Sequence, residues 1–318
     1  MRVVFCGSGR FGIPSLSAML SAGVDVPLVV SQPPRPAGRG GALRPTMVAE
    51  EAYARNLRVL ETDDINAPQA VQAIVDAQCD VLVVIDFGQF IGKTLRELAP
   101  KGSVNLHASL LPELRGAAPI NWAIIRGYEI TGVTTLGIVK VMDAGPIYLQ
   151  HPVEIDPQET ADELETRLSQ IGADLLVRTL KMLSAGGATP SPQEEGDVTQ
   201  ARRMVKADGR VDWGKPARDI RNLAHGCWPW PGAQAVFRHE RNSKERRVVI
   251  ARAAVVESDD TTGEPLAPGT VDADGHVATG SGRLEIRELK PAGKRLMHWK
   301  DFCNGYRVEQ GDHFLSLE

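Results

Sequence analysis

Short runs of near-continuous Val, Leu and Ile alternate with helix-spaced stretches through the first half of this 318-residue chain. That alternation limits the fold more than any other feature. The runs are Arg2–Cys6, Val24–Val30, Val81–Ile85 and Ser103–Leu106. A strand that is apolar at nearly every position, not every second one, belongs in a sheet covered on both faces. Between the runs lie Pro14–Ser21, Met47–Arg55 and Ala67–Ala77, with helical spacing and turn residues at their ends. Strand and helix in turn predict a doubly wound, mostly parallel α/β sheet. Thr131–Val139 and Ile147–Val153 read as two further strands, and Asp162–Leu183 as the longest helix.

The composition changes after Ser184. The stretch SAGGATPSPQEEGD is small, polar and bears Pro and Gly, which predicts a linker. Beyond it, Val248–Val255, Gly269–Val271, His276–Thr279 and Arg283–Glu288 read as short strands between Gly and Asp turns, a pattern of a small β-barrel or sandwich. The expected organisation is a first domain over 1–184, a linker over 185–206 and a second domain over 207–318. Aromatics make up 5%, so the core is expected to rest on aliphatic side chains. No apolar run reaches the roughly 18 residues of a membrane span. The start, Met1-Arg2-Val3-Val4-Phe5, carries no charged leader and apolar stretch, so secretion is not expected. Cys6, Cys79, Cys227 and Cys303 form no C-x-x-C pair, which fits a reducing cytoplasm better than disulfides or zinc. Net charge is −4, and from Ala207 onward 17 basic side chains face 17 acidic ones. Any nucleic-acid contact therefore has to be patchy.

Gly7-Ser8-Gly9-Arg10-Phe11-Gly12 follows the first strand and spells the dinucleotide fingerprint G-x-G-x-x-G. Its second half is missing, because the next strand ends Val29-Val30-Ser31-Gln32 with no acidic residue for a ribose. A tight strand-to-helix turn beside a pocket explains the glycines as well. A nicotinamide-dependent oxidoreductase stays open as an alternative, with Arg35 available for a 2′-phosphate.

The stretch GSVNLHASLLPELRG over 102–116 carries more chemistry. Asn105 and His107 lie two apart at the end of a predicted strand, hence on one face. They fall at the carboxyl end of a parallel strand, where open α/β sheets place ligands. Asp143, in Val141-Met142-Asp143-Ala144-Gly145-Pro146, is a turn aspartate that could join them. No Ser or Cys sits in a nucleophile elbow, so a covalent acyl-enzyme is not indicated. An amide, an imidazole and a carboxylate suit direct acyl transfer to an amine: two donors for an oxyanion and one acceptor for an ammonium proton.

These residues resemble the folate-dependent formyltransferases along almost the whole chain. Asn105-x-His107, Ser109-Leu110-Leu111-Pro112, Arg115-Gly116-Ala117-Ala118-Pro119-Ile120, Thr131-Gly132-Val133-Thr134 and Val141–Gly145 match the family's core blocks in order. The resemblance implies a Rossmann-like catalytic domain followed by an OB-like barrel. It implies 10-formyltetrahydrofolate as co-substrate, bound by Ile85, Asp86, Phe87 and Gly88 with Ser109, Leu110, Leu111 and Pro112, and no metal. Asn105, His107 and Asp143 take the catalytic positions. Ser31–Pro45 resembles the loop of the branch that acts on methionyl-initiator tRNA, which implies tRNA contacts by Arg35, Arg39 and Arg44, with Lys294 in the C-terminal domain. A cytoplasmic monomer is expected. Gly12, Asp86 and the Ala144-Gly145-Pro146 turn depart from that branch. Ile120-Asn121-Trp122 leans toward relatives that formylate amino-sugar nucleotides or hydrolyse formyl-folate, so those acceptors stay open. A non-catalytic RNA-binding protein is the remaining alternative, and the intact Asn, His and Asp set counts against it.

Overall fold

The computed structural model describes residues 1–37, 41–256 and 266–317. In chain order the strands are β1 (Arg2–Gly7), β2 (Asp25–Ser31), β3 (Arg35–Ala37), β4 (Ala42–Arg44), β5 (Val59–Glu61), β6 (Val81–Ile85), β7 (Ser103–His107), β8 (Ile130–Gly137) and β9 (Ile147–Glu154). They continue with β10 (Ala233–Arg238), β11 (Glu245–Val256), β12 (Val277–Ala278), β13 (Arg283–Pro291), β14 (Met297–His298) and β15 (His313–Ser316). The α-helices are α1 (Ile13–Ser21), α2 (Met47–Ala54), α3 (Pro68–Asp76), α4 (Lys93–Leu98), α5 (Pro119–Ile125), α6 (Ala161–Ser184), α7 (Ala217–Gly226) and α8 (Trp299–Tyr306).

The described residues divide into two compact units. The first comprises Met1–Gly116, Ile130–Glu154 and Glu165–Ala201, and the second Ala117–Glu129, Ile155–Leu164 and Arg202–Glu318. The first unit holds a sheet in the order β5-β2-β1-β6-β7-β8-β9. Pairing is parallel from β5 to β7, whereas β8 runs antiparallel to β7 and β9 antiparallel to β8. The apolar runs behave as double-sided burial requires, and β6 is buried at all five positions. The register between β1 and β2 slips between Arg2 and Val4, opposite Pro27, whose missing N–H breaks a ladder. The short edge strand β5, the hairpin β3–β4 and the short helices α4 and α5 escaped the sequence.

In the second unit an antiparallel sheet runs β12-β13-β11-β10-β15, with β14 beside β13. Thr270 bridges His313 beside β15 and Val271 bridges Val277 in β12, so the two ends of the sheet are joined into a nearly closed barrel. The expected strand at Gly269–Val271 is this closure. The sparse aromatics gather here, against the expectation of an aliphatic core. Phe237 packs on Phe302 at 5.2 Å and on Phe314 at 5.4 Å, and Trp213 lies 5.4 Å from Phe314. Val248, Ile250, Leu284, Ile286 and Leu289 fill in around these rings. Strand β10 and helices α7 and α8 carry part of this core and were not visible in the sequence; the alternating burial of β10 shows only once its partners are in place.

No helix among the described residues is long and apolar enough to cross a membrane. Residues 185–206, expected to be a linker, contain bridges from Ser191 to Ile147 and from Gln200 to Arg115. Because Phe237 is buried among other rings, Phe237→Ala is expected to destabilise the second unit by about 3–5 kcal/mol. Chemical unfolding followed by tryptophan fluorescence measures this, with Trp213 in the same cluster as the reporter.

Candidate active site

Strand β7 delivers Asn105 and His107 to one face at its end, as a period of two demands. His107 is 6% exposed. Its Nε2 lies 3.0 Å from the Leu114 carbonyl oxygen, which can only accept, so the ring is protonated there. That leaves Nδ1 turned toward Asp143, 3.8 Å from Oδ1. The Asn105 Nδ2 amide donates to the same oxygen at 3.3 Å. The Gly116 backbone N–H donates to Asp143 Oδ2 at 2.9 Å. Amide, imidazole and carboxylate therefore converge, although 38 residues separate Asn105 from Asp143 in sequence.

The backbone that aims them is costly. Asp143 has φ of +54° and Leu114 +57°, both in the left-handed region. For a residue such as leucine that conformation costs about 1–2 kcal/mol. Leu114 recovers it through two bonds: its N–H donates to Thr199 Oγ1 at 2.8 Å, and its carbonyl accepts from His107. At Gly145 a Cβ would stand 1.6 Å from the Gly137 carbonyl oxygen, so the turn after Asp143 closes only on glycine. The Gly in Ala144-Gly145-Pro146 is thus a packing requirement.

The loop Ser109–Pro112 is braced from within. Ser109 is fully buried and its hydroxyl donates to the Glu113 carbonyl at 2.7 Å. The Thr134 hydroxyl donates to the Ser109 carbonyl at 2.6 Å. Leu111 is buried, and its carbonyl accepts from Gln150 Nε2 at 2.8 Å. Leu110 and Pro112 are half-buried. The Ser109 hydroxyl and the buried Leu111 side chain are used within the loop, and Leu110 lies over Gly132, where a Cβ would come within 2.5 Å of its Cδ2.

At the end of β6, Ile85 and Phe87 are buried in the core, whereas Asp86 and Gly88 are exposed. Asp86 has φ of +44°, and its carboxyl lies over Gly9, where a Cβ would come within 1.6 Å of Oδ2. Though the residue is exposed as a whole, its carboxyl is recessed there and is pushed up to about 6, first by burial and then by the charge of Glu165. Gly9 is therefore open for a carboxyl rather than for a pyrophosphate. The glycine fingerprint serves the contact between the β1 and β6 ends, since the Ser8 and Gly9 N–H groups both donate to the Asp86 carbonyl at 3.2 Å.

Arg35 and Arg44 are exposed and directly opposite one another across the β3–β4 hairpin. Two cations in register repel unless something anionic joins them; Arg35 also donates to Gln32 Oε1 at 2.8 Å. Arg39 lies outside the described residues. Lys294 is exposed in the turn after β13, in the second unit. Among the described residues Asp272, Asp274 and His276 are close enough to share a cation. Arg283 already stands 3.2 Å from Asp272 Oδ2, and Asp272 Oδ1 accepts the Asp274 and His276 N–H groups, so both oxygens of Asp272 have partners, while the buried His276 Nδ1 has no hydrogen bond. Burial raises the thiols of Cys6, Cys79, Cys227 and Cys303, so none is a ready thiolate nucleophile.

Residues 1–180 match the formyl transferase family and residues 203–307 the formyl transferase C-terminal domain. The chain belongs to the formyltransferase family. A methionyl-tRNA formyltransferase of Solibacter usitatus is 40% identical over 316 residues, covering 98% of each chain. One from Symbiobacterium thermophilum is 40% identical over 323 residues, covering 100% of this chain and 96% of its own. The crystal structure of WlaRD, a sugar 3N-formyl transferase, superposes with a TM-score of 0.65 at 15% identity over 93% of this chain and 99% of that one, which establishes a shared fold. The family match does not favour an oxidoreductase, and the Asp86 carboxyl over Gly9 agrees with that physically.

In this formyltransferase Asp86 holds its proton more tightly folded than unfolded, its ordinary value being 3.8. Its contribution to stability is full at low pH and is lost as pH rises through about 6. Asp86→Asn escapes that loss. The Tm difference between variant and unsubstituted protein is expected to grow in the variant's favour from about pH 4 to about pH 7. A constant difference across that range would mean the carboxyl ionises normally.

Proposed function

We propose that this formyltransferase is a cytoplasmic enzyme, active as a monomer, that moves the formyl group of 10-formyltetrahydrofolate to the amino group of methionyl-initiator tRNA. The observation that carries the reading is the single carboxylate, Asp143, held beside both Asn105 and His107. Its acceptor rests on the end-to-end likeness to relatives named for methionyl-tRNA.

The deprotonated methionyl amine attacks the formyl carbon, and the carbonyl oxygen becomes an oxyanion. The Asn105 amide donates to that oxygen. As imidazolium, His107 donates to it from Nδ1, while Nε2 stays bound to the Leu114 carbonyl. Asp143 orients the ring and takes the proton released from nitrogen. Collapse of the tetrahedral adduct breaks the bond to the folate nitrogen, which leaves with the proton that Asp143 had taken. The folate lies against the backbone of Ile85, Asp86, Phe87 and Gly88 and against Ser109, Leu110, Leu111 and Pro112, with the Asp86 carboxyl able to accept or donate near neutrality. Arg35, Arg39, Arg44 and Lys294 meet tRNA phosphates; the facing pair Arg35 and Arg44 supports this, because an anion relieves their repulsion.

Asn105→Ala and His107→Ala are each expected to lower kcat on the order of 100- to 1000-fold in a single-turnover assay with charged initiator tRNA and 10-formyltetrahydrofolate. Near-intact turnover in either would remove the oxyanion assignment. Faster formylation of an amino-sugar nucleotide than of charged tRNA would replace the acceptor. Arg35→Ala with Arg44→Ala is expected to raise KM for tRNA and flatten its salt dependence while leaving KM for the folate unchanged.

A further inference from the structure

The segment over 191–201 looks like spacer in the sequence, yet it bonds to both loops of the candidate site. The Ser191 N–H donates to the Ile147 carbonyl at 2.9 Å and the Ile147 N–H to Ser191 at 2.7 Å, which ties the segment to the strand following Asp143. The Arg115 N–H donates to the Thr199 carbonyl at 2.9 Å, and the Ala201 N–H to the Arg115 carbonyl at 2.7 Å, which ties it to the loop before Gly116. Gln193 sits between these anchors and uses every bond its amide can make. Nε2 donates to the Asp143 carbonyl and to the Gly145 carbonyl, both at 2.7 Å. Oε1 accepts from Arg115 Nε at 3.0 Å and Nη2 at 2.7 Å. The amide's orientation follows from chemistry, since a guanidinium only donates and backbone carbonyls only accept.

We propose that Gln193 is a positioning residue for formyl transfer, locking the Asp143 turn to the Arg115–Gly116 loop so that the carboxylate stays shared by Asn105, His107 and the Gly116 N–H. Three facts support this. Asp143 sits at φ of +54°, a conformation that persists only where its surroundings over-determine it, and Gln193 ties together the carbonyls at and two residues after it. Gly116 has φ of +123°, and a Cβ there would stand 2.6 Å from the Ala201 carbonyl oxygen, so the loop that presents its N–H is moulded on the same segment. Finally, the Asp143 carboxylate itself takes the Gly116 N–H, so Gln193 adds a second tie between the same turn and loop, through the neighbouring Arg115. Gln193 touches no reacting atom, and it acts only through the geometry of Asp143.

This inference rests on the formyl-transfer reading, so the assay begins with the unsubstituted protein; absence of formylation there overturns that reading and not the role of Gln193. Gln193→Met keeps the side-chain length and removes all four bonds. It is expected to lower kcat on the order of 10- to 100-fold, as small misplacements at a reacting centre do, with KM for both substrates within about twofold. Combined with Asp143→Asn, it is expected to slow the reaction no further than Asp143→Asn alone, because the two act as a unit. Gln193→Glu retains the Arg115 partner and replaces both donors by an acceptor; it is expected to lose at least as much kcat, and it carries the test if Gln193→Met does not fold. Unchanged kcat in the folded variants overturns the proposal. So does a full extra loss in the Asp143→Asn background, which would mark Gln193 as a general structural residue.

Discussion

The candidate site depends on one carboxylate with several claimants. Asp143 Oδ1 faces the Asn105 amide and His107 Nδ1, while Oδ2 takes the Gly116 N–H. These groups come from the end of β7, from the loop after it and from the turn between β8 and β9. A carboxylate out of bulk water needs such donors, since an unpaired buried charge is expensive. The same bonds that satisfy Asp143 therefore fix where the amide and the imidazole point. Left-handed backbone at Leu114 and Asp143, and glycine at 116 and 145, are the local concessions that let the three segments meet.

The parallel part of the sheet supplies the rigid floor. Strand β6 is buried throughout and pairs with both β1 and β7, so its end places Asp86 beside the first glycine loop. There the fingerprint glycines permit close approach, but the group approaching is a carboxyl recessed enough to titrate near neutrality. A motif that reads as phosphate binding thus serves a different contact once its neighbour is known. The antiparallel return through β8 and β9 is equally consequential, because the β8–β9 connection carries Asp143 back to β7.

Much of the architecture was legible before any coordinates. Runs such as Val81–Ile85 announce double-sided burial through composition alone, and the longest helix follows from its leucine spacing. Asn105 and His107 could be paired because a strand's period of two is a local rule. Histidine shows where local rules stop. His107 and His225 are both buried, and only their partners separate their roles. His225 accepts the Ala253 N–H at Nε2 and is pushed down to about 4, first by burial and then by Arg221 and Arg252, which marks a neutral core residue. His107 instead faces a carboxylate. Gln193 was invisible for a similar reason: a glutamine among Pro, Ser and Glu reads as solvated spacer until its partners are found.

The chain by itself determined the α/β character of its first half, the β-rich character of its second, and the family, because hydrophobic period and motif order are properties of neighbouring residues. Tertiary structure alone decided that Asp143 reaches His107, that Asp86 covers Gly9, that an expected linker braces two loops, and that the second sheet closes on itself. Each of those is a contact between segments far apart in sequence, set by how whole strands pack, and no local pattern encodes it.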